Sequence, residues 1–239
     1  MNFRGIVVLT SMVAGLGAAG AADLAVKAPA QAPAYYDWSG IYVGANAGYG
    51  WGDTSWISAT NQFFAVKPGE SFSTHPKGAL AGGQIGINKQ VGSWVWGVEV
   101  TGDWSDMMQS VVGPFEFPTD IWTTKLKDLE TLTGRLGYAA NNWLFYGKAG
   151  GATGEVSAHV STSPPNVVFG QSQRLWGVTA GGGVEYGLTP NIILGVEYDF
   201  TRLFAGQFTG TASNRDLVTF GAKSSFDVQA ITGRVSYKF

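Results

Sequence analysis

From Trp38 to Phe239 the chain repeatedly interleaves two rows of residues, and nothing else in it restricts the fold as strongly. Around residue 97, Trp94, Trp96, Val98 and Val100 share one parity, and Val95, Gly97, Glu99 and Thr101 share the other. Successive side chains of a β-strand point to opposite faces, so a run of this period is a strand with one apolar face. Eight such runs occur: 38–50, 78–89, 93–104, 125–138, 142–154, 173–187, 190–202 and about 224–239. Their second parity is filled by Gly, Thr and isolated charges. The 35 glycines in 239 residues exclude a helical protein, because each costs about 1 kcal/mol relative to Ala inside a helix.

The links between runs alternate in length. Short ones follow the second, fourth and sixth runs, near Gln90–Ser93, Ala139–Asn142 and Leu188–Pro190. Long polar ones cover 51–77, 105–124, 155–172 and 203–223. Short turns at one end, long loops at the other and an even strand number describe an outer-membrane barrel. The apolar parity carries aromatic residues near both ends of the runs. Trp94, Trp96, Trp143, Tyr186, Tyr237 and Phe239 lie near the turns, and Tyr49, Trp104, Trp176 and Phe200 lie near the loops. These form two interfacial girdles. The rival fold is a soluble sandwich or lipocalin-like barrel with the apolar parity inside. Against it stand the low charge content of 13% and a second parity of Gly and Thr that covers a solvated surface poorly. The expected fold is therefore all-β: an eight-stranded antiparallel transmembrane up-and-down β-barrel of the outer membrane, over residues 38–239. Both termini lie in the periplasm and the long loops lie outside the cell.

Bilayer hydrocarbon satisfies no backbone donors or acceptors, so a spanning sheet must close on itself. The eighth run then pairs with the first. An eight-stranded barrel is just wide enough for side chains to fill. Its inner parity holds Glu99, Glu185 and Glu197, with Arg135, Lys148 and Arg234 as counter-charges. Enclosed charges must pair, and these six residues are expected to form a lumen ion-pair network that packs the barrel. The sharper alternative is a gated ion path.

Residues 1–22, with Arg4, an apolar stretch from Ile6 and small residues at the end, read as a cleaved secretory signal peptide. Residues 23–37 are an Ala/Pro-rich periplasmic linker. GLGAAG at 15–20 matches a dinucleotide-binding glycine pattern but lies inside the signal segment, without the strand before it and helix after it that such a site needs. A formal charge of −2 gives no footprint for nucleic acid. The absence of cysteine removes thiol catalysis and Cys-ligated zinc. His75 and His159 both fall in long links, and no catalytic or metal-binding spacing surrounds either. No enzyme activity, cofactor or metal is expected. Phe63, Phe64, Phe115, Phe117 and Trp122 are read as exposed loop aromatics that pack within the loop cluster, the alternative being an adhesive or ligand-binding patch.

Three blocks carry a family likeness: Trp38 to Tyr49 (WSGIYVGANAGY), Thr133 to Ala139 with Leu144 to Ala152 (TGRLGYA, LFYGKAGGA), and Thr232 to Phe239 (TGRVSYKF). In them the chain resembles the outer-membrane immunogenic protein family of alphaproteobacteria, whose members include the 25 and 31 kDa outer-membrane proteins and opacity-type, porin-like barrels. The resemblance implies an abundant surface barrel that supports envelope integrity. Its implied partners are outer-membrane lipid and lipopolysaccharide, the barrel-assembly machinery, and a host surface or peptidoglycan. It also implies that Tyr237 and Phe239 belong to the signal read at assembly. Some relatives are described as porin-like channels and some as haem-binding surface proteins. Here His75 and His159 are the only imidazoles open to a haem reading.

Overall fold

The computed structural model describes residues 36–58, 71–112, 121–162, 166–211 and 219–239. The signal segment, most of the linker, and Phe63, Phe64, Phe115 and Phe117 lie outside these residues. Every regular element among them is a strand: β1 (Gly40–Ser58), β2 (Ser71–Thr74), β3 (Lys77–Val91), β4 (Trp94–Ser105), β5 (Met108–Val112), β6 (Ile121–Ala140), β7 (Trp143–Thr162), β8 (Asn166–Gly187), β9 (Ile192–Thr211) and β10 (Thr219–Lys238). Eight of them form a closed antiparallel ring in the order β1-β10-β9-β8-β7-β6-β4-β3, which returns to β1. The seam runs from Tyr42↔Lys238 to Ser58↔Ala222. It ends with the Phe239 amide donating to the Ile41 carbonyl at 2.9 Å.

The turn ends of the hairpins are tight because the sequence supplies residues suited to the left-handed region. Gly92 (φ 60°) turns β3 into β4, and Asn141 (φ 56°) turns β6 into β7. The other ends differ from the sequence reading. The stretches taken there as long loops are largely strand. β7 runs on to Thr162 and β8 begins at Asn166; β9 reaches Thr211 and β10 starts at Thr219. The first two long links contribute the short strands β2, which pairs with β1, and β5, which pairs with β6. About ten residues of strand cross a bilayer, so strands of 20 residues such as β6 and β7 project well past it.

The barrel therefore has two halves of opposite polarity. In the half nearest the turns, apolar side chains face outward: Val98, Val100, Leu132, Val196 and Val235 are all exposed. In the distal half most large apolar side chains face inward, although Ile57, Met108, Val112, Ile121 and Phe204 stay exposed. Trp56, Leu126, Val156, Leu203 and Phe226 are fully buried, each contributing about 1.5–3 kcal/mol of burial. The outside of the distal half carries ion pairs instead: Lys125–Asp106, Lys127–Glu155, Arg174 with Asp128 and Glu130, and Arg202–Asp227. Lys127 donates to Glu155 at 2.7 Å and holds that carboxyl below its ordinary range.

Both halves keep the period of two, so the interior could become apolar only by shifting parity or changing composition. β6 shifts. The ladder to β7 passes from Leu126↔Val156 to Asp128↔Glu155, leaving Lys127 as a bulge. Before Lys127 the even residues Trp122, Thr124 and Leu126 face in; after it the odd residues Leu129, Thr133 and Arg135 do. Trp122 is thus an interior side chain and not an exposed loop aromatic. Facing lipid, Gly134, Gly147 and Ala149 form the floor of a shallow groove of about 610 Å³ beside Trp96 and Leu136.

Candidate functional site: the ion layer of the lumen

The inward residues at mid-height of the turn-side half come from every strand of the ring. Glu99 on β4 is fully buried. Its Oε2 accepts from the Tyr42 hydroxyl at 2.7 Å and from Arg135 Nη1 at 3.4 Å. Arg234 Nη1 donates to Glu99 Oε1 at 3.2 Å, and its Nη2 donates to Oε2. Arg135 Nη2 donates to Glu185 Oε2 at 2.6 Å. Arg234 Nη1 reaches Glu197 Oε2 at 2.5 Å, and Lys148 Nζ donates to Glu197 Oε1 at 2.7 Å. β3 joins through Gln84, whose Nε2 donates to Ser236 Oγ at 3.1 Å.

Three participants carry no signal beyond their parity in the sequence. Tyr42 donates to Glu99 and accepts from Arg135 Nη1 at 2.9 Å. Tyr146 donates to Glu197 at 2.5 Å and accepts from Arg234 Nη1 at 3.1 Å. Each hydroxyl thus bridges one acid and one arginine, using the donor and the acceptor that a phenol possesses. Tyr146 also lays its ring 3.9 Å below the Arg135 guanidinium, a cation–π contact. The third is Asp199, 3.2 Å from Lys148 Nζ. Period-two reading places these side chains on the inner face, but it cannot tell which inner residues meet across the lumen.

Apolar side chains close the layer at both ends. On the distal side stand Leu80, Leu129, Leu203, Phe226 and Val228, all buried in one cluster. On the turn side stand Val95, Leu144 and Ile193 with Tyr36 and Trp38. Guanidinium and ammonium groups occupied by carboxylates, between two apolar seals, have the chemistry of a structural crosslink. Breaking such a pair costs more than making it gains.

The histidines lie elsewhere. His159 sits on β7, opposite Thr123 and Gly170, and not in a loop. His75 lies between β2 and β3, with its Nδ1 2.5 Å from Asp53 Oδ1 and its side chain 64% exposed. Asp106, between β4 and β5, pairs with Lys125 at 3.1 Å, and Asp103 lies on the inner parity of β4. Tyr237 and Phe239 point outward at the turn end, with ring centroids 5.1 Å apart in a T-shaped pair.

The family model and the sequence relatives agree with this architecture. The family model described as "Outer membrane protein beta-barrel domain" matches residues 18–239. A 25 kDa outer-membrane immunogenic protein of Brucella canis is 30% identical over 222 residues, covering 90% of this chain and 85% of its own. A 31 kDa outer-membrane immunogenic protein of Brucella melitensis is 28% identical over 235 residues, covering 92% of each. Among solved structures, the outer membrane protein OprG of Pseudomonas aeruginosa aligns over 85% of this chain and 98% of its own, with 14% identity and a TM-score of 0.48.

Proposed function

The chain belongs to the outer membrane protein beta-barrel family, and on that footing we propose that it is a structural, non-enzymatic surface barrel that supports the envelope and meets other surfaces through its distal half. It is an outer-membrane β-barrel protein. The observation that carries the structural reading is the filled lumen: an ion layer whose bases are occupied by acids, between two apolar seals. Such a lumen favours a crosslink over a gated ion path.

In the orientation we propose, residues 23–37, the turns and Phe239 face the periplasm, and the distal half stands outside the cell. The ion pairs on the exterior of that half support this placement, since they suit water and sugar and not hydrocarbon. The exposed belt meets outer-membrane lipid, and the ion pairs above Trp104 and Trp176 meet lipopolysaccharide headgroups. The exposed ends of Tyr237 and Phe239 suit them to recognition by the assembly machinery. The relatives' name, immunogenic protein, accords with a surface that other cells encounter; a host surface or peptidoglycan would be met at opposite ends.

The test is conductance in a planar lipid bilayer. The purified barrel should give no discrete openings, and channels whose size changes in Glu99→Gln would overturn the structural reading. Tags inserted in 59–70 and 212–218 should be reached on intact cells, and a tag at 141–142 should not. Haem titration should leave the Soret band unchanged. A shifted band that disappears in His75→Ala or His159→Ala would instead assign haem binding.

A further inference from the structure

The residues just ahead of the first strand make contacts that the crosslinking role does not require. Trp38 is fully buried although it precedes β1, and Tyr36 is nearly so. Their rings lie 4.6 Å apart and pack with Val95, Leu144 and Ile193, the inward residues nearest the turns. The partners come from separate parts of the rim. The Trp38 amide donates to Gln90 Oε1 at 2.8 Å, at the end of the β3–β4 hairpin. The Tyr36 hydroxyl donates to the Pro190 carbonyl at 3.3 Å, in the β8–β9 turn. Lys238, near the end of β10, donates to the Asp37 carbonyl and holds its ammonium 4.5 Å from the Tyr36 ring centroid. Gly187 is fitted to the same ring: a Cβ there would lie 2.3 Å from Tyr36 Cδ2.

We propose that Tyr36 and Trp38 are a stopper that plugs the turn-end mouth of the lumen, keeping water from the ion layer on that side, while the distal apolar cluster independently keeps it out on the other. Two large aromatic rings fill a mouth whose other buried apolar residues nearest the turns are the smaller Val95, Ala139, Leu144 and Ile193. The stopper's partners sit on β3, on the β8–β9 turn and on β10. It is therefore complete only after β10 has closed on β1, and it ties together separate parts of the rim at the turn end. Removing the stopper wets the ion layer from below without making a through-channel, because the distal cluster remains.

The absence of cysteine makes the test clean. Ser236→Cys puts a single thiol at a buried lumen position beside the ion layer, and Ala158→Cys puts one in the distal seal. Each is exposed to a small cationic methanethiosulfonate in the refolded, full-length barrel, with folding checked by heat-modifiable migration. Adding Tyr36→Ala and Trp38→Ala should accelerate modification of Cys at 236 at least tenfold and leave Cys at 158 unchanged. Gly187→Val, which displaces the Tyr36 ring without altering the stopper residues, should accelerate it in the same direction and serves if the double alanine variant does not fold. Equal rates at 236 with and without the stopper would overturn the proposal, as would equal acceleration at both positions, which marks general loosening. Bilayer conductance of the stopper variants should stay at zero, and openings would overturn the two-seal arrangement.

Discussion

Replacing Arg234 by Met should be the most damaging single change in the ion layer. Arg234 touches Glu99, Glu197 and the Tyr146 hydroxyl, and its Nε lies 3.5 Å from Glu185. At an effective dielectric of about 20, two unit charges about 3 Å apart attract by about 5 kcal/mol. Arg234 does so with two carboxylates, against the desolvation of every group involved. Once it is removed, Arg135 and Lys148 alone face Glu99, Glu185, Glu197 and Asp199. Measured losses for breaking a buried pair from one side are about 3–5 kcal/mol, and Arg234→Met should fall in that range. The assay is equilibrium urea unfolding of the barrel in liposomes, read by tryptophan fluorescence and by gel migration. Two companion variants isolate the cause. Arg202→Met deletes a guanidinium that is paired bidentately with Asp227 at 2.7 Å but lies on the outer surface, so the midpoint should not move. Adding Glu99→Gln to Arg234→Met removes one stranded acid and should recover part of the loss. A loss below about 1 kcal/mol for Arg234→Met, the range of an exposed pair, would refute the claim that this layer holds the barrel together.

Other outcomes follow from the same geometry. Gly150→Ala should destabilise by about 1–3 kcal/mol, since its Cβ would fall 1.9 Å from the Leu132 carbonyl oxygen, whereas Gly151→Ala, one residue on with open space at its Cβ, should stay within about 0.5 kcal/mol; urea midpoints decide both. Tyr146→Phe leaves Glu197 and Arg234 each short of one hydrogen bond and should cost about 1–3 kcal/mol in the same measurement. The Glu155 carboxyl is held low by Lys127. Its contribution is therefore present above the unfolded carboxylate pKa and is lost as pH falls through the lowered folded value. Carboxyl chemical shifts should show Glu155 titrating below the ordinary range and returning to it in Lys127→Met; no movement would refute the pairing.

The turn-side half is legible in the sequence because one face is apolar over eight runs and the other is nearly empty of bulk. Glu99, Arg135, Lys148, Glu185, Glu197 and Arg234 stand out there as charges among Gly and Thr. The distal half is not legible by the same rule. Its exterior alternates Ser, Thr, Lys and Asp with interior side chains, so Ile121–Thr124 and Glu155–Ser161 look like polar links although they are strands. The Lys127 bulge also breaks the parity count where the polarity reverses. Tyr42 and Tyr146 are hidden for another reason. Their parity is correct for the lumen, but an aromatic residue in a barrel sequence is ordinarily read as lipid-facing, and only cross-barrel distances show that their hydroxyls bind the acids.

The bulge at Lys127 also limits how this barrel can lengthen or shorten. Because one extra residue exchanges the faces of everything beyond it on β6, a single-residue deletion there would turn Trp122 and Leu126 toward solvent, or force the strand to slide against β7. Insertions and deletions in the distal hairpins are therefore tolerable in pairs, or singly when matched by a new irregularity. Variation in length should avoid single-residue changes within β6 and β7, which keeps the wall in frame.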